Sequence, residues 1–225
     1  MTLKCIAKLF LSNVSSIEEE HHDPYTGYIE VTLNENEITE LYQNLKINKF
    51  NLLINQYVII YNQEKEIIDK MIWDGDTYRT ISYGNLNSTY FGNVKPFKND
   101  PYQALAVDSF LNNKITMIKG PAGSGKTFLS LAFLLNALER NKIDKIIVFC
   151  NTVATKNSAK LGFYPGTRDE KLLDSQIGNL LSSKLGDKMM VEKLIDENKL
   201  VLLPLSDIRG YDTTGMRAGI YISEA

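Results

Sequence analysis

The sequence predicts an α/β fold, a core built on a parallel sheet and preceded by a small α+β module. Three observations carry that reading. Beyond residue 100, short apolar runs alternate with helical patterns: Lys114 to Lys119, then Lys126 to Arg140, then Lys145 to Cys150. Such alternation implies parallel strands. A glycine-bearing octapeptide, Gly120 to Thr127, stands between the first of those strands and the helix. Ahead of both, Gly84 to Lys98 mixes Gly, Asn, Ser and Pro without periodicity and reads as a linker. The boundary falls near residue 95, giving a module over 1–94 and a core over 95–225.

A chain of 225 residues has room for one sizeable domain or two small ones. Its net charge of -2 carries no global basic signature, so nucleic-acid contact would need a local patch. The two cysteines, Cys5 and Cys150, are too few and too far apart for a disulfide framework or a zinc site, which fits a reducing, cytoplasmic setting. Met1 to Ser12 is apolar but interrupted by Lys4 and Lys8, and reads as a strand rather than a signal peptide. No run is long enough to span a bilayer. Glu18 to Asp23 holds two histidines among acids, yet its ligand spacing is poor and it reads as a solvated loop. The abundance of Asn and Lys reflects coding bias as easily as function and carries no mechanistic weight.

In the module, Ile38, Leu41, Tyr42 and Leu45 share a helical face, with breakers at Asn48 to Asn51. Asn51 to Tyr61, Glu66 to Trp73 and Thr77 to Tyr83 read as a β-meander, turned at Asp74-Gly75. Its Trp73 and tyrosines are assigned to packing rather than to base stacking. In the core, Asp100 caps a helix with Pro101 at the first position and Gln103 three residues past the cap. Thr167 with Glu170 starts a helix toward Ser183, and Asp187 to Glu197 forms another. Leu200 to Leu205 and Gly219 to Ile222 are short strands.

The octapeptide Gly120-Pro121-Ala122-Gly123-Ser124-Gly125-Lys126-Thr127 fits the P-loop pattern GxxxxGK[ST] at every fixed position. Glycines let the backbone turn and bring amide N–H groups close to a phosphate, where a side chain would collide. The helix starting at Lys126 adds the positive end of its dipole. Lys126 is expected to reach the β- and γ-phosphates, and the Thr127 hydroxyl to coordinate magnesium. ATP with magnesium is the expected ligand.

A P-loop alone does not specify hydrolysis. Gly219-Ile220-Tyr221-Ile222 followed by Ser223-Glu224 looks like a Walker B strand, whose usual ending is Asp-Glu. There the first carboxylate holds magnesium and the second orients the attacking water. Ser223 can hold a metal-bound water but brings no charge, so magnesium retention should be weaker. Glu224 remains placed to polarise water.

Four ordered features make residues 95 to 225 resemble the PhoH-like family of P-loop ATPases. They are Gln103, the P-loop, Leu161-Gly162-Phe163-Tyr164-Pro165-Gly166 with Glu170-Lys171 after it, and Ile208-Arg209-Gly210. The resemblance implies a P-loop NTPase core of helicase-like, RecA type, often arranged as a ring, with links to RNA processing. It also implies that Gln103 contacts adenine, although the capping position explains the residue as well. Arg209 is similar to a residue that reaches a phosphate in its own site or across a subunit boundary; a solvated arginine fits equally. The loop Asn151 to Asn157 stands where helicases touch single-stranded nucleic acid, but Cys150-Asn151-Thr152 replaces the family's Thr-Arg-Pro. Family members continue past the Walker B strand, and a later strand inserts between the Walker A and Walker B strands. On that pattern this chain resembles a phage-type member truncated after Walker B, with a gap in its sheet.

The leading expectation is a magnesium-dependent ATPase that couples hydrolysis to work on RNA or another macromolecule. A catalytically weak nucleotide-binding assembly or regulatory module is the alternative, favoured by Ser223. A small-molecule kinase ranks last, because no lid or acceptor motif is visible.

Overall fold

The computed structural model describes residues 25–81, 84, 86–97, 100–150, 176–185 and 188–223. Two compact units divide at Arg79 and Thr80.

In the first unit, β1 (Tyr28–Thr32) leads through α1 (Glu35–Gln43) to β2 (Tyr57–Tyr61), followed by β3 (Ile67–Trp73) and β4 (Tyr78–Thr80). The sheet order is β1-β2-β3-β4, with β1 parallel and β3 antiparallel to β2. The meander expected over residues 51–83 is thus extended by a parallel strand that the α1 crossover brings alongside. Asn34 and Glu37 form a reciprocal capping box at the start of α1. Leu41 is buried with Leu33, Leu52, Val58, Ile60, Met71, Trp73 and Tyr78. The Asp74-Gly75 turn forms as expected, with Asp74 Oδ1 accepting from the N–H groups of Asp76 and Thr77.

The second unit opens with a hairpin, β5 (Leu86–Ser88) against β6 (Gly92–Val94), inside the stretch read from sequence as a linker. Buried contacts explain why so short a hairpin persists. Leu86 and Val94 pack with Val107 of α2 (Pro101–Asn112) and with Leu129 and Ala132 of α3 (Lys126–Glu139). The Glu139 carboxylate accepts from Thr89 N at 3.0 Å and Ser88 Oγ at 3.1 Å, and Asn136 donates to the Asn87 carbonyl.

The parallel sheet has the order β8-β7-β9, from β7 (Lys145–Cys150), β8 (Leu200–Pro204) and β9 (Ala218–Ile222). Central β7 is buried from Ile146 to Cys150, the continuous apolar run expected of a parallel strand covered on both faces. Ile146, Val148 and Cys150 face a core shared with Leu131, Leu134, Leu135 and Leu138 of α3. Helices α4 (Gln176–Leu185) and α5 (Lys188–Asp196) contribute Leu181, Val191 and Leu194 to the same core. On the opposite face, Phe149 meets Tyr211 edge-on, ring centroids 5.7 Å apart.

Two helices are steered into this sheet by asparagine. Asn141 and Asn198 have φ of 54° and 55°, a left-handed conformation that Asn tolerates better than most residues. Each closes a Schellman motif. Asn141 N and Lys142 N donate to Leu138 O and Ala137 O, and Asn198 N and Lys199 N donate to Ile195 O and Leu194 O. The chain then enters β7 and β8 directly. Asn51 and Asn55 also have positive φ. Part of the asparagine content is therefore conformational.

The strand expected over Lys114 to Lys119 does not form. Residues 115–121 belong to no strand, and Ile115 and Met117 are 90% and 87% exposed. Apolar composition alone does not make a strand; its N–H and C=O groups need a ladder partner. Among the described residues β9 pairs with β7 on one side only and forms an edge of the sheet. No helix among the described residues is long and apolar enough to cross a membrane.

Arg217, just ahead of β9, is tied to Asp144, just ahead of β7. Its Nε donates to Asp144 Oδ2 at 2.9 Å, and Asp144 N donates to Arg217 O at 2.7 Å. The guanidinium holds the Asp144 carboxyl below the usual carboxylate range. A depressed folded value means the contribution is present above the unfolded carboxylate's range and fades as pH falls through the folded one. The urea midpoint of the wild type should therefore exceed that of Arg217→Ala by a small constant margin at neutral pH. That margin should close only below about pH 4. A margin unchanged at about pH 2 would mean that the pair contributes nothing through its charge.

Candidate functional site

The octapeptide forms a loop whose backbone needs glycine at two places. Gly123 and Gly125 have φ of +81° and +84°, where a side chain is strained. Gly125 is also the N-cap of α3, and it supplies no side-chain cap. The first-turn N–H groups of an α-helix have no intrahelical acceptor, so α3 presents its positive end at the loop. Leu129 N donates to Gly125 O at 2.9 Å, which sets the start of the helix.

Lys126, the first residue of α3, folds back over the loop. Its Nζ donates to the carbonyls of Gly120 and Pro121, each at 2.8 Å. The ammonium thus stands with the helix N-terminus over the same few backbone groups, a concentration of positive charge suited to an anion. Gly120, Pro121, Ala122, Gly123, Ser124 and Gly125 supply the surrounding backbone.

Gln103 is only 8% exposed, and its interactions join three segments. Its backbone N–H donates to Asp100 Oδ1 at 3.2 Å, the cap read from the sequence. Its carboxamide Nε2 donates to Ser124 O at 3.3 Å, and its Oε1 accepts from Phe97 N at 3.1 Å. Both ends of the amide are engaged within the chain. Gln103 therefore clamps the P-loop to the segment that leads into α2.

Strand β9, read from sequence as a Walker B strand, approaches the first turn of α3. Parallel pairing sets Ile146 opposite Gly219 and Val148 opposite Tyr221, so Gly219, Tyr221 and Ser223 lie on the α3 face of β9 by strand alternation. The ladder continues past the strand, with Ser223 N donating to Phe149 O at 2.9 Å. Tyr221 directs its hydroxyl to Thr127 Oγ1 at 3.0 Å. Thr127, Leu131 and Leu134 share one helix face, being four and then three residues apart. A Cβ on Gly219 would stand 2.5 Å from Leu134 Cδ2 and 2.8 Å from Ile143 Cδ1. A side chain at this position would need Leu134 and Ile143 to give way.

Magnesium that rides on phosphate oxygens keeps several waters and usually takes one or two protein carboxylates. Thr127, in the first turn of α3, and Ser223, just past β9, carry neutral hydroxyls instead. Among the described residues no cluster of three His, Cys, Asp or Glu side chains can hold a metal. The donor set suits a cation brought in with a nucleotide and would be poor for one held by protein alone.

Some expected participants lie outside the described residues: Glu224, the loop Asn151 to Asn157, Leu161 to Gly166 with Glu170-Lys171, and the acidic histidine stretch Glu18 to Asp23. Arg209 is exposed, in the turn after the Leu205–Ile208 3₁₀ segment. Sequence reasoning missed Tyr221. The available signal was a hydroxyl-bearing residue in an apolar strand, two positions before Ser223 and hence on its face.

Gly219→Val should destabilise the second unit by about 1–3 kcal/mol, the usual range for inserting bulk into a packed contact. The measurement is urea unfolding beside the wild type. Stability equal to wild type would mean that Leu134 yields freely and that the glycine sets no spacing.

The family model described as "PhoH-like protein" matches residues 95–224, more than half of the chain. A PhoH-like protein of Mycobacterium bovis is 33% identical over 106 residues, covering 46% of this chain and 29% of that protein. A PhoH-like protein of Synechocystis is 29% identical over 139 residues, covering 59% of this chain and 38% of its own length. Protein PhoH2 of Thermobispora bispora is 33% identical over 117 residues, covering 48% of this chain and 26% of its own length. The chain thus spans well under half the length of these relatives. With the P-loop motif and a family match over more than half of its length, the chain belongs to the PhoH-like protein family.

Proposed function

We propose that the chain binds ATP with magnesium at Gly120 to Thr127 and couples its hydrolysis to work on RNA or another macromolecule. The observation that carries this reading is the meeting of the two nucleotide motifs, β9 reaching Thr127 through Tyr221 at 3.0 Å. In this proposal the core over 95–225 is of RecA type. The loop amides, the α3 N-terminus and Lys126 neutralise the polyphosphate. Thr127 and a water on Ser223 hold magnesium, which would supply charge stabilisation on the phosphate oxygens. Glu224 orients water, and Gln103, implied by the resemblance to contact adenine, also holds the loop through Ser124. RNA work and a ring of copies come from the family resemblance, and a cytoplasmic location from the cysteine usage.

Ser223 favours a second reading, a nucleotide-binding module of low turnover that acts in assembly or regulation. The neutral hydroxyl lacks the charge with which a carboxylate would hold the metal through the reaction.

Calorimetry with ATP in magnesium should show binding, weakened roughly 10- to 100-fold by Lys126→Ala, as expected for losing a charge-assisted contact. No heat with any purine triphosphate would sink both readings. Phosphate release stimulated by single-stranded RNA, and raised by Ser223→Asp, supports the ATPase. Binding without release at high magnesium, in wild type and Ser223→Asp alike, supports the module.

A further inference from the structure

Thr127 has two demands to meet if its hydroxyl is to serve a metal. A lone pair must face the cation, and the hydroxyl proton must have an acceptor elsewhere. A carboxylate at the end of a Walker B strand can supply that acceptor along with its charge. This chain has Ser223 there, and a second hydroxyl stands closer along the same face of β9. The phenol oxygen of Tyr221 is 3.0 Å from Thr127 Oγ1. In the structure the phenol donates to that oxygen, but a phenol can also accept, and the hydroxyl hydrogens of such a pair rotate to suit.

The position of that phenol is set by rigid parts. Pairing with Val148 of the buried central strand places Tyr221 on the helix face of the sheet. Its ring packs against the core formed by α3, β7 and β8. Gly219, two residues earlier, leaves room for Leu134 of α3 against the strand. The tyrosine side chain has only two rotatable angles before its hydroxyl, so little freedom is left to lose when the contact forms.

We infer that Tyr221 is a positioning residue of the magnesium site: its phenol orients the Thr127 hydroxyl and takes over part of the role that a Walker B carboxylate would play. This role rests on the magnesium nucleotide proposed for the P-loop. With Thr127 turned toward the cation, the phenol accepts the threonine proton and the lone pair stays aimed at the metal. The phenol brings no charge, so it substitutes for orientation and leaves the electrostatic deficit of Ser223 in place. Tyr221 is therefore expected to matter most while residue 223 is uncharged.

Tyr221→Phe keeps the ring and removes only the hydroxyl. ATP affinity by calorimetry is compared in magnesium chloride and in EDTA, with thermal unfolding to establish equal folding. The expected result is unchanged affinity in EDTA and a magnesium-dependent gain reduced roughly two- to tenfold, the scale of one hydrogen bond. In a Ser223→Asp background the same substitution should have a smaller effect, because a carboxylate then supplies the acceptor. Equal or tighter magnesium-dependent binding by Tyr221→Phe overturns the inference, since the phenol would then be idle or would compete with the metal. An equal loss with and without magnesium overturns it too, as mere packing. A wild type that binds no ATP in either buffer overturns the nucleotide reading itself, which separates that failure from this one.

Discussion

Close packing of α3 on the parallel sheet is the constraint on which the second unit depends. The helix is held from three directions. Leu131, Leu134, Leu135 and Leu138 join the core of β7 and β8, Leu129 and Ala132 meet the β5-β6 hairpin, and its N-terminus closes the P-loop. A helix held in this way cannot slide without disturbing all three. Its first turn, where Lys126 and Thr127 stand, is consequently as well placed as the core. Gly219 leaves room for Leu134 against β9. A site assembled from a loop and a strand end thereby inherits the precision of a helix packed on a sheet.

Electrostatics divides the site unevenly. On the phosphate side, two left-handed glycines, an N-terminus without a side-chain cap and the Lys126 ammonium gather positive character within a few residues. On the metal side, the described residues offer neutral hydroxyls. In the proposed function, holding the polyphosphate and holding the metal therefore fall to different groups of the site.

Several elements were legible before any coordinates. Asp100, Pro101 and Gln103 announced the start of α2, because capping chemistry is local. The Asp74-Gly75 turn and the runs at Lys145 and Leu200 were equally readable, being set by turn chemistry and by burial on both faces. Where the reading failed, a distant partner decided the outcome. Lys114 to Lys119 has strand composition but no ladder partner, so it stays outside the sheet. Gly84 to Lys98 looks like a linker, yet Glu139 and Asn136, some fifty residues away, hold a hairpin there.

By itself the sequence determined the phosphate-binding loop, the helix that follows it, the alternation that makes a parallel sheet, and the serine at the usual metal position. These are written in short spacings, and short spacings fix backbone conformation and local charge. Only the tertiary structure decided that Gln103 grips the loop through Ser124, that Gly219 leaves room for Leu134, and that Tyr221 meets Thr127. Each of those contacts joins residues 21 to 94 positions apart. Their geometry follows from the register of β9 on β7 and the seat of α3 upon both, and no local pattern encodes it.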